Sequence, residues 1–195
     1  MTEPIRLDGR TLSLEDVERV ARGGMPVALD DAARGRVAAF RDFIESKVAS
    51  GERVYGVTTG FGRLADVEIG PDERTTLQHN LVRSHASGMG ETLDRPSVRA
   101  LMLLRANALA RGVSGCRVMV LEQLIGFLNA GIHPRVPEFG SVGASGDLAP
   151  LAHVASGLIG VRPALGCQSR RIAAAWVGAS SGPSISTIVI ASLLS

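Results

Sequence analysis

The chain has 195 residues, of which 45% are hydrophobic, and its formal net charge is +2 at pH 7. This composition supports a hydrophobic core and excludes a disordered chain, and the scattered basic residues give no reason to expect nucleic acid or a membrane as partner. The two cysteines suggest neither a disulfide framework nor a metal site. Residues 1–10 do not resemble a signal peptide, and no apolar run is long enough to span a bilayer. We therefore expect a cytoplasmic protein that holds no metal.

The first part of the chain predicts two helices and a loop. Ser13 is a candidate N-cap ahead of acidic residues, and the glycine pair at 23–24 ends that helix. A second helix opens at Asp30 and runs to a stop at Gly51. Residues 54–62 are rich in glycine and β-branched side chains, which indicates a loop or a short extended segment.

The middle of the chain predicts two more helices. Pro71 suits the first position of a helix on which Leu77, Leu81 and His85, spaced four residues apart, share one face. The next helix follows Pro96 and carries a broad apolar stripe.

The last part with a clear pattern predicts a fifth helix, a loop and the start of a sixth helix. Residues 117–130 are helical in pattern and end at Gly131, which suits a left-handed cap. Prolines and glycines make residues 134–150 a loop that leads into a helix from about Asp147. The predicted fold class is mainly α, with two glycine-rich loops inserted between helices.

The pattern changes after Gly160. Residues 161–195 contain no Asp, Glu or Lys, include the single Trp176, and sustain neither a helical nor a strand period. We divide the chain into residues 1–160 and an atypical tail, residues 161–195, which is foreign to the rest as a frameshift or truncation would leave it. An ordinary divergent C-terminus is the alternative.

Residues 143–147, a run of small residues and one aspartate, are the candidate site in the second loop. Small residues permit tight backbone conformations, so this segment is either a plain turn or an anion-binding turn at a helix N-terminus. It lacks the ending of a phosphate loop, and Ser145 has no nucleophile-elbow context, so nucleotide binding and serine hydrolysis are not supported. Local chemistry alone favours the plain turn.

Three longer motifs change that interpretation, because together they resemble the aromatic amino-acid ammonia-lyases, the family of the histidine, phenylalanine and tyrosine ammonia-lyases. The motifs are GSVGASGDLAPLAH at 140–153, YGVTTGFG at 55–62 and LQHNLVRSHASG at 77–88. The resemblance extends from about Pro4 to Gly160. It implies the N-terminal helical domain of such a lyase, with glycine-rich active-site loops and the start of a long helical bundle.

The resemblance implies that Ala144, Ser145 and Gly146 cyclise and lose water to form a methylidene-imidazolone group, with Asp147 in support and no external cofactor. Such a group fills a chemical need, since ordinary side chains supply nucleophiles, acids and bases but no strong carbon electrophile. By the same resemblance Tyr55 is the base that removes the β-proton of the substrate. A phenol is mostly protonated at neutral pH, so the site must either lower its pKa or provide a path for its proton.

The Ser84-His85 pair matches the position that faces the substrate side chain, and this pair resembles the histidine ammonia-lyases. An imidazole can donate or accept a hydrogen bond to an imidazole ring. The implied reaction is the deamination of L-histidine to trans-urocanate and ammonia in a homotetramer.

Family members are much longer than this chain, and we expect the chain by itself to be inactive. The alternatives are a tyrosine or phenylalanine ammonia-lyase, an aminomutase, or a non-catalytic fragment that acts as an assembly partner. A phosphate-binding regulatory module is a remote further alternative.

Overall fold

A computed structural model describes residues 2–60, 66–142, 146–160 and 164–165 of the chain. This part is mainly α, which confirms the predicted fold class. Its helices are α1 (Leu14–Ala21), α2 (Asp31–Ala49), α3 (Pro71–His85), α4 (Arg95–Ala110), α5 (Val118–Ala130) and α6 (Leu148–Leu158). Its strands are β1 (Ile5–Leu7), β2 (Val27–Leu29), β3 (Met89–Thr92), β4 (His133–Pro134), β5 (Pro137–Phe139) and β6 (Ala164–Leu165).

The predicted helix ends are set by local capping. Ser13 and Asp16 form a capping box at the start of α1, because each side chain bonds to the backbone N–H of the other residue. Asp30 accepts from the backbone N–H of Ala33 at the start of α2. Gly131 ends α5 at φ +68°, the left-handed conformation predicted for it.

The short strands were not predicted. β1 pairs in parallel with β2, β3 pairs antiparallel with β5, and β4 pairs antiparallel with β6. The interpretation of residues 134–150 as a continuous loop was therefore wrong at its start, where β4 ends and β5 lies. Strands of two to four residues are too short to show an alternating pattern, and each is specified by a partner distant in sequence.

The core is centred on α4 and α5. Helix α1 packs against α4, β2 packs against α5, and α3 packs against α6. Fully buried side chains on the two central helices are Met102, Leu103, Ala106, Ala110, Leu121 and Leu124. Full burial of one such leucine contributes about 1.5–3 kcal/mol, so this pair of helices supplies much of the apolar stabilisation. Among the described residues, none of the helices is long and apolar enough to cross a membrane.

The most buried face of α3 lies one residue beyond the face that Leu77, Leu81 and His85 share. Leu77, Leu81 and His85 are only half-buried, whereas Gln78 and Val82 are buried. Gln78 is 1% exposed and its side-chain amide donates to the carbonyl of Gly56, 3.4 Å away. A buried amide that reaches another loop carries no apolar signal, so the hydrophobic pattern alone does not identify this face.

A buried cation and a buried histidine lie where α1, α4, α5 and β4 meet. The Arg99 guanidinium donates to the carbonyls of Val20 at 2.9 Å and Leu128 at 2.8 Å, and lies 3.4 Å from Nε2 of His133. Burial, together with the positive charges of Arg95 and Arg99, lowers the pKa of His133 to about 4. The ring of His133 is therefore neutral at pH 7.

Adjacent leucines on α4 provide a matched test of the core. Leu103 is 0% exposed and Leu104 is 51% exposed. We expect Leu103→Ala to lower the free energy of unfolding by about 2–5 kcal/mol, because it leaves a cavity between packed helices. Leu104→Ala should change it by about 0.5 kcal/mol or less. Urea unfolding followed by circular dichroism measures both, and equal losses in the two variants would contradict this packing.

The buried His133 predicts a loss of stability in acid. The pKa of His133 lies below the ordinary value of 6.5, at about 4, so below pH 6.5 the unfolded chain takes up a proton that the folded chain does not. Stability that is complete above pH 6.5 should decrease as the pH falls toward 4, by on the order of 3 kcal/mol from this residue.

Urea unfolding between pH 7.5 and 4.5 tests this expectation. His133→Gln should lose less stability over that interval than the wild-type chain, whereas His79→Gln on α3 should lose as much. The same pH dependence in all three proteins would show that His133 is not the responsible group.

Candidate active site

A cavity of about 300 Å³ lies at the C-terminal end of α3, between the segment after β5 and the start of α6. Its walls come from three separate stretches of chain. The residues that line it are Ser84, His85, Ser87, Gly140, Val142, Gly146, Leu148 and Ala149. These stretches belong to two of the three sequence motifs, so the fold brings those motifs to one place.

Some of the predicted site residues line the cavity and others do not. Ser84, His85 and Gly146 line the cavity together. Ala144 and Ser145 lie outside the described residues. Tyr55 is not among the lining residues, and its side chain is 63% exposed.

The ring of His85 is oriented by its own helix. Its Nδ1 lies 2.8 Å from the carbonyl oxygen of Leu81 and 3.1 Å from the hydroxyl of Ser84, which itself donates to that carbonyl at 3.0 Å. A carbonyl oxygen can only accept, so Nδ1 of the neutral ring carries the hydrogen. The other ring nitrogen, Nε2, is then a hydrogen-bond acceptor at a cavity wall.

The cavity floor depends on a close approach of three backbone segments. A Cβ atom on Gly140 would lie 3.0 Å from Cα of Gly88 and 3.1 Å from Cβ of Ala149. A Cβ on Gly88 would lie 3.1 Å from both the carbonyl oxygen of Phe139 and Nε2 of His153. His153, 2% exposed, accepts from the backbone N–H of Gly88 at 3.2 Å. This bond connects the segment after α3 to the interior of α6.

The last residue of the tripeptide and its surroundings leave room for a cyclised prosthetic group. Gly146 has φ +106°, a conformation that favours glycine, and no atom of the described residues lies within 4 Å of the position its Cβ would take. The Ser141 hydroxyl donates to the carboxylate of Asp147, and this bond closes the loop that contains the tripeptide. Asp147 is also the residue that precedes α6, but its side chain bonds to the loop rather than to the helix end.

The loop that carries Tyr55 is held by hydrogen bonds of its backbone and of its buried threonines. The hydroxyl of Thr58 accepts from the backbone N–H of Val54 at 2.8 Å, and Gly56 takes φ +68°. Both Thr58 and Thr59 are buried. The Gln78 amide connects this loop to α3, so the base of the Tyr55 loop and the helix of His85 are coupled through one side chain.

Several residues that build the cavity have no role assigned from the sequence motifs. Ser87, Gly140, Val142, Leu148 and Ala149 line it, while Gln78 and His153 position its parts. All seven lie inside the quoted motifs, which is the signal that could have identified them. Across the described ranges no group of three or more His, Cys, Asp or Glu residues could hold a metal ion.

Comparison with known proteins places this geometry in a family. The family described as "Aromatic amino acid lyase" matches residues 12–187. Histidine ammonia-lyase from Streptococcus pyogenes serotype M5 is 50% identical over 161 residues, which are 83% of this chain and 31% of that protein. The chain therefore spans about a third of the length of that curated relative.

Solved structures agree with the sequence matches. The crystal structure of histidine ammonia-lyase from Trypanosoma cruzi matches with a TM-score of 0.80 at 31% identity, over 98% of this chain and 37% of that one. Tyrosine aminomutase from Streptomyces globisporus matches with a TM-score of 0.82 at 35% identity, over 98% and 36%. The family match includes most of residues 161–195, of which only 164–165 are described, so the division at Gly160 stays a prediction.

The crowding at Gly88 gives a test of the cavity floor. Gly88→Ala should lower the free energy of unfolding by about 1–3 kcal/mol, because the new methyl group would press against backbone and the His153 ring. Gly35→Ala is the control, since a Cβ at that position inside α2 would meet no atom of the described residues within 4 Å apart from the backbone of its own helix, and it should stabilise the chain by about 0.5–1 kcal/mol. Thermal unfolding measures both, and a neutral Gly88→Ala would contradict the close approach.

Proposed function

Because the chain belongs to the aromatic amino acid lyase family, we propose that it carries part of an active site for deamination of L-histidine to trans-urocanate and ammonia. The observation that carries this proposal is the shared cavity. Ser84 and His85 line the same cavity as Gly146, so the predicted substrate contacts share one pocket with a residue of the predicted electrophile. A volume of about 300 Å³ is at the lower end of ordinary small-ligand pockets and suits a single amino acid.

His85 supports histidine as the substrate through its hydrogen-bond polarity. Nδ1 is committed to the Leu81 carbonyl, so Nε2 is available to accept from the N–H of a substrate imidazole. The side chain of phenylalanine offers no donor and would leave this acceptor unsatisfied. A tyrosine hydroxyl could also donate to Nε2. The preference for L-histidine over L-tyrosine therefore rests on the Ser84-His85 pair, which resembles the pair of the histidine ammonia-lyases.

The residues have separate roles in the proposed reaction. When formed, the methylidene-imidazolone supplies the carbon electrophile that ordinary side chains lack. Asp147, bonded to Ser141, supports the loop around it, and Ser84 and His85 orient the substrate ring. Tyr55 takes the β-proton, a role that stays a proposal because Tyr55 does not line the cavity of its own chain.

A homotetramer supports that role, because Tyr55 of one copy can then serve the cavity of another. The ring of Tyr55 is exposed in the single chain, as are Met89 and Phe139, which pair across β3 and β5, and Val142 at the cavity wall. A set of exposed apolar side chains around a cavity is typical of an interaction surface. We place the protein in the reducing cytoplasm, which suits the free buried thiol of Cys116.

The alternatives share the cavity and differ in what enters it. The match to tyrosine aminomutase keeps a tyrosine-directed lyase or aminomutase as the second candidate, since the acceptor of His85 also suits a phenol. A fragment that only assists assembly is the candidate from another class. It would bind a complete lyase without converting any amino acid.

A chimeric enzyme tests the proposed function. We would exchange the matched segment of the Streptococcus pyogenes relative for the corresponding segment of this chain and assay L-histidine, L-tyrosine and L-phenylalanine. We expect urocanate, read as new ultraviolet absorbance. Tyr55→Phe should lower kcat by about 10²–10⁴-fold, because the proton acceptor is lost. His85→Leu should lower kcat/KM for L-histidine at least about tenfold, with a smaller effect on L-phenylalanine.

The control for His85 is His79→Leu, a half-buried histidine on the same helix that does not line the cavity, and its kinetics should be unchanged. Preference for L-tyrosine over L-histidine would favour the second candidate. The 195-residue chain by itself should form no urocanate. Co-purification with a complete lyase, combined with an inactive chimera, would favour the assembly role.

A further inference from the structure

A buried histidine outside the cavity holds one of the cavity walls in place. His153 lies in the interior of α6, is 2% exposed, and is not among the residues that line the cavity. Its Nε2 accepts from the backbone N–H of Gly88 at 3.2 Å. The neutral ring therefore carries its hydrogen on Nδ1. The proposed deamination gives this side chain no part in the reaction.

The N–H of Gly88 lies beyond the end of α3, so its acceptor comes from another helix. The last bond of α3 runs from the N–H of Ala86 to the carbonyl of Val82 at 2.9 Å. The next residue, Ser87, donates from its N–H to the carbonyl of His85 at 2.8 Å. Loss of the imidazole acceptor would leave the N–H of Gly88 unpaired against the interior of α6, which is costly. The bond therefore holds this segment against α6.

Gly88 is enclosed on its other sides as well. A Cβ on Gly88 would lie 3.1 Å from the carbonyl oxygen of Phe139 and 3.2 Å from Cβ of Pro137, both in β5. On α6, Ala149 precedes His153 by four residues, so the two side chains share one face, and Ala149 lines the cavity. The face of α6 that receives Gly88 thus continues into the cavity wall, one helical turn away.

Gly88 in turn restrains the Ser84-His85 pair, because it follows His85 by only three residues. Gly146 lies two residues before the start of α6 and lines the same cavity as the pair. The bond of His153 therefore connects the segment that carries the ring contacts to the helix that begins beside the predicted electrophile. It helps to set the separation between them.

This separation affects which substrate side chain fits. The imidazole of L-histidine is shorter than the phenol of L-tyrosine, and both can donate to Nε2 of His85. Hydrogen-bond polarity alone does not distinguish the two substrates, so the position at which the acceptor is held becomes decisive. A misplacement of about 1 Å, caused far from the reacting atoms, can change a rate by about 10²-fold.

We propose that His153 is a positioning residue that favours L-histidine over the longer L-tyrosine, because it holds the Ser84-His85 pair close to Gly146. It acts through Gly88 rather than by contact with the substrate. This inference rests on the proposed function. Without the bond, the segment after α3 moves away from α6, which widens the space for a substrate ring and places the shorter imidazole out of reach.

The chimeric enzyme tests this role through the ratio of kcat/KM for L-histidine to kcat/KM for L-tyrosine. His153→Leu removes the acceptor, and we expect it to lower this ratio by at least about tenfold. His153→Gln keeps an acceptor oxygen for the N–H of Gly88 and should keep most of the ratio. A purely structural loss would reduce the amount of active enzyme and lower both rates equally. His153→Phe, a ring without an acceptor, serves if His153→Leu does not fold.

The matched control is Ser156→Ala, on the same helix. Ser156 is 1% exposed, its hydroxyl has no hydrogen-bond partner among the described residues, and it does not line the cavity. This variant should leave the ratio unchanged. A ratio that stays the same in His153→Leu, or that falls equally in His153→Gln or Ser156→Ala, would overturn the role of His153. Preference of the unmodified chimera for L-tyrosine would instead contradict the proposed function, and the variants would still report on His153.

Hydrogen exchange in the 195-residue chain, followed by NMR, gives a second measurement that needs no activity. The amide of Gly88 should exchange at least about tenfold faster in His153→Leu than in the unmodified chain, and at a similar rate in His153→Gln. If the chimera converts no amino acid, this measurement decides by itself. Unchanged exchange at Gly88 in His153→Leu would show that the bond does not hold the segment, and the proposal would fail.

Discussion

The close approach of Gly88, Gly140 and Ala149 is the constraint on which the candidate site depends. These residues belong to three stretches of chain whose backbones meet with no room for a larger side chain. Ser84 and His85 precede Gly88 by a few residues, and the tripeptide lies between Gly140 and Ala149. The contact therefore helps to set the distance between the Ser84-His85 pair and Gly146 across the cavity. Small residues serve packing here as well as backbone chemistry.

The bond from Gly88 to His153 makes this contact specific. A buried imidazole that accepts from a backbone N–H selects one arrangement of α3 on α6, because an unpaired buried group would cost about 1–3 kcal/mol. Gln78 performs a similar task within α3, where its amide donates to Gly56 in the loop of Tyr55. Two buried polar side chains thus connect α3 to the loop of Tyr55 and the segment after α3 to α6.

The cavity of the candidate site and the buried Arg99–His133 cluster differ in the way their polar groups are committed. In the cavity, the His85 ring is held by a carbonyl of its own helix and presents an acceptor among small, uncharged neighbours. In the cluster, the Arg99 guanidinium donates to two backbone carbonyls and lies against the neutral ring of His133. A neutral pocket with one oriented acceptor suits a substrate ring, whereas the cluster connects α1, α4, α5 and β4.

The sequence by itself determined the helices with strong local signals and the identity of the site motifs. Ser13, Asp30 and Gly131 cap helices through contacts within a few residues, and such signals can be read without a fold. The tertiary structure alone decided the short strands, the buried face of α3, the members of the candidate-site cavity and the absence of Tyr55 from it. These features depend on pairs of residues far apart in the chain, such as Gly88 with His153 and Arg99 with His133, which no local period records.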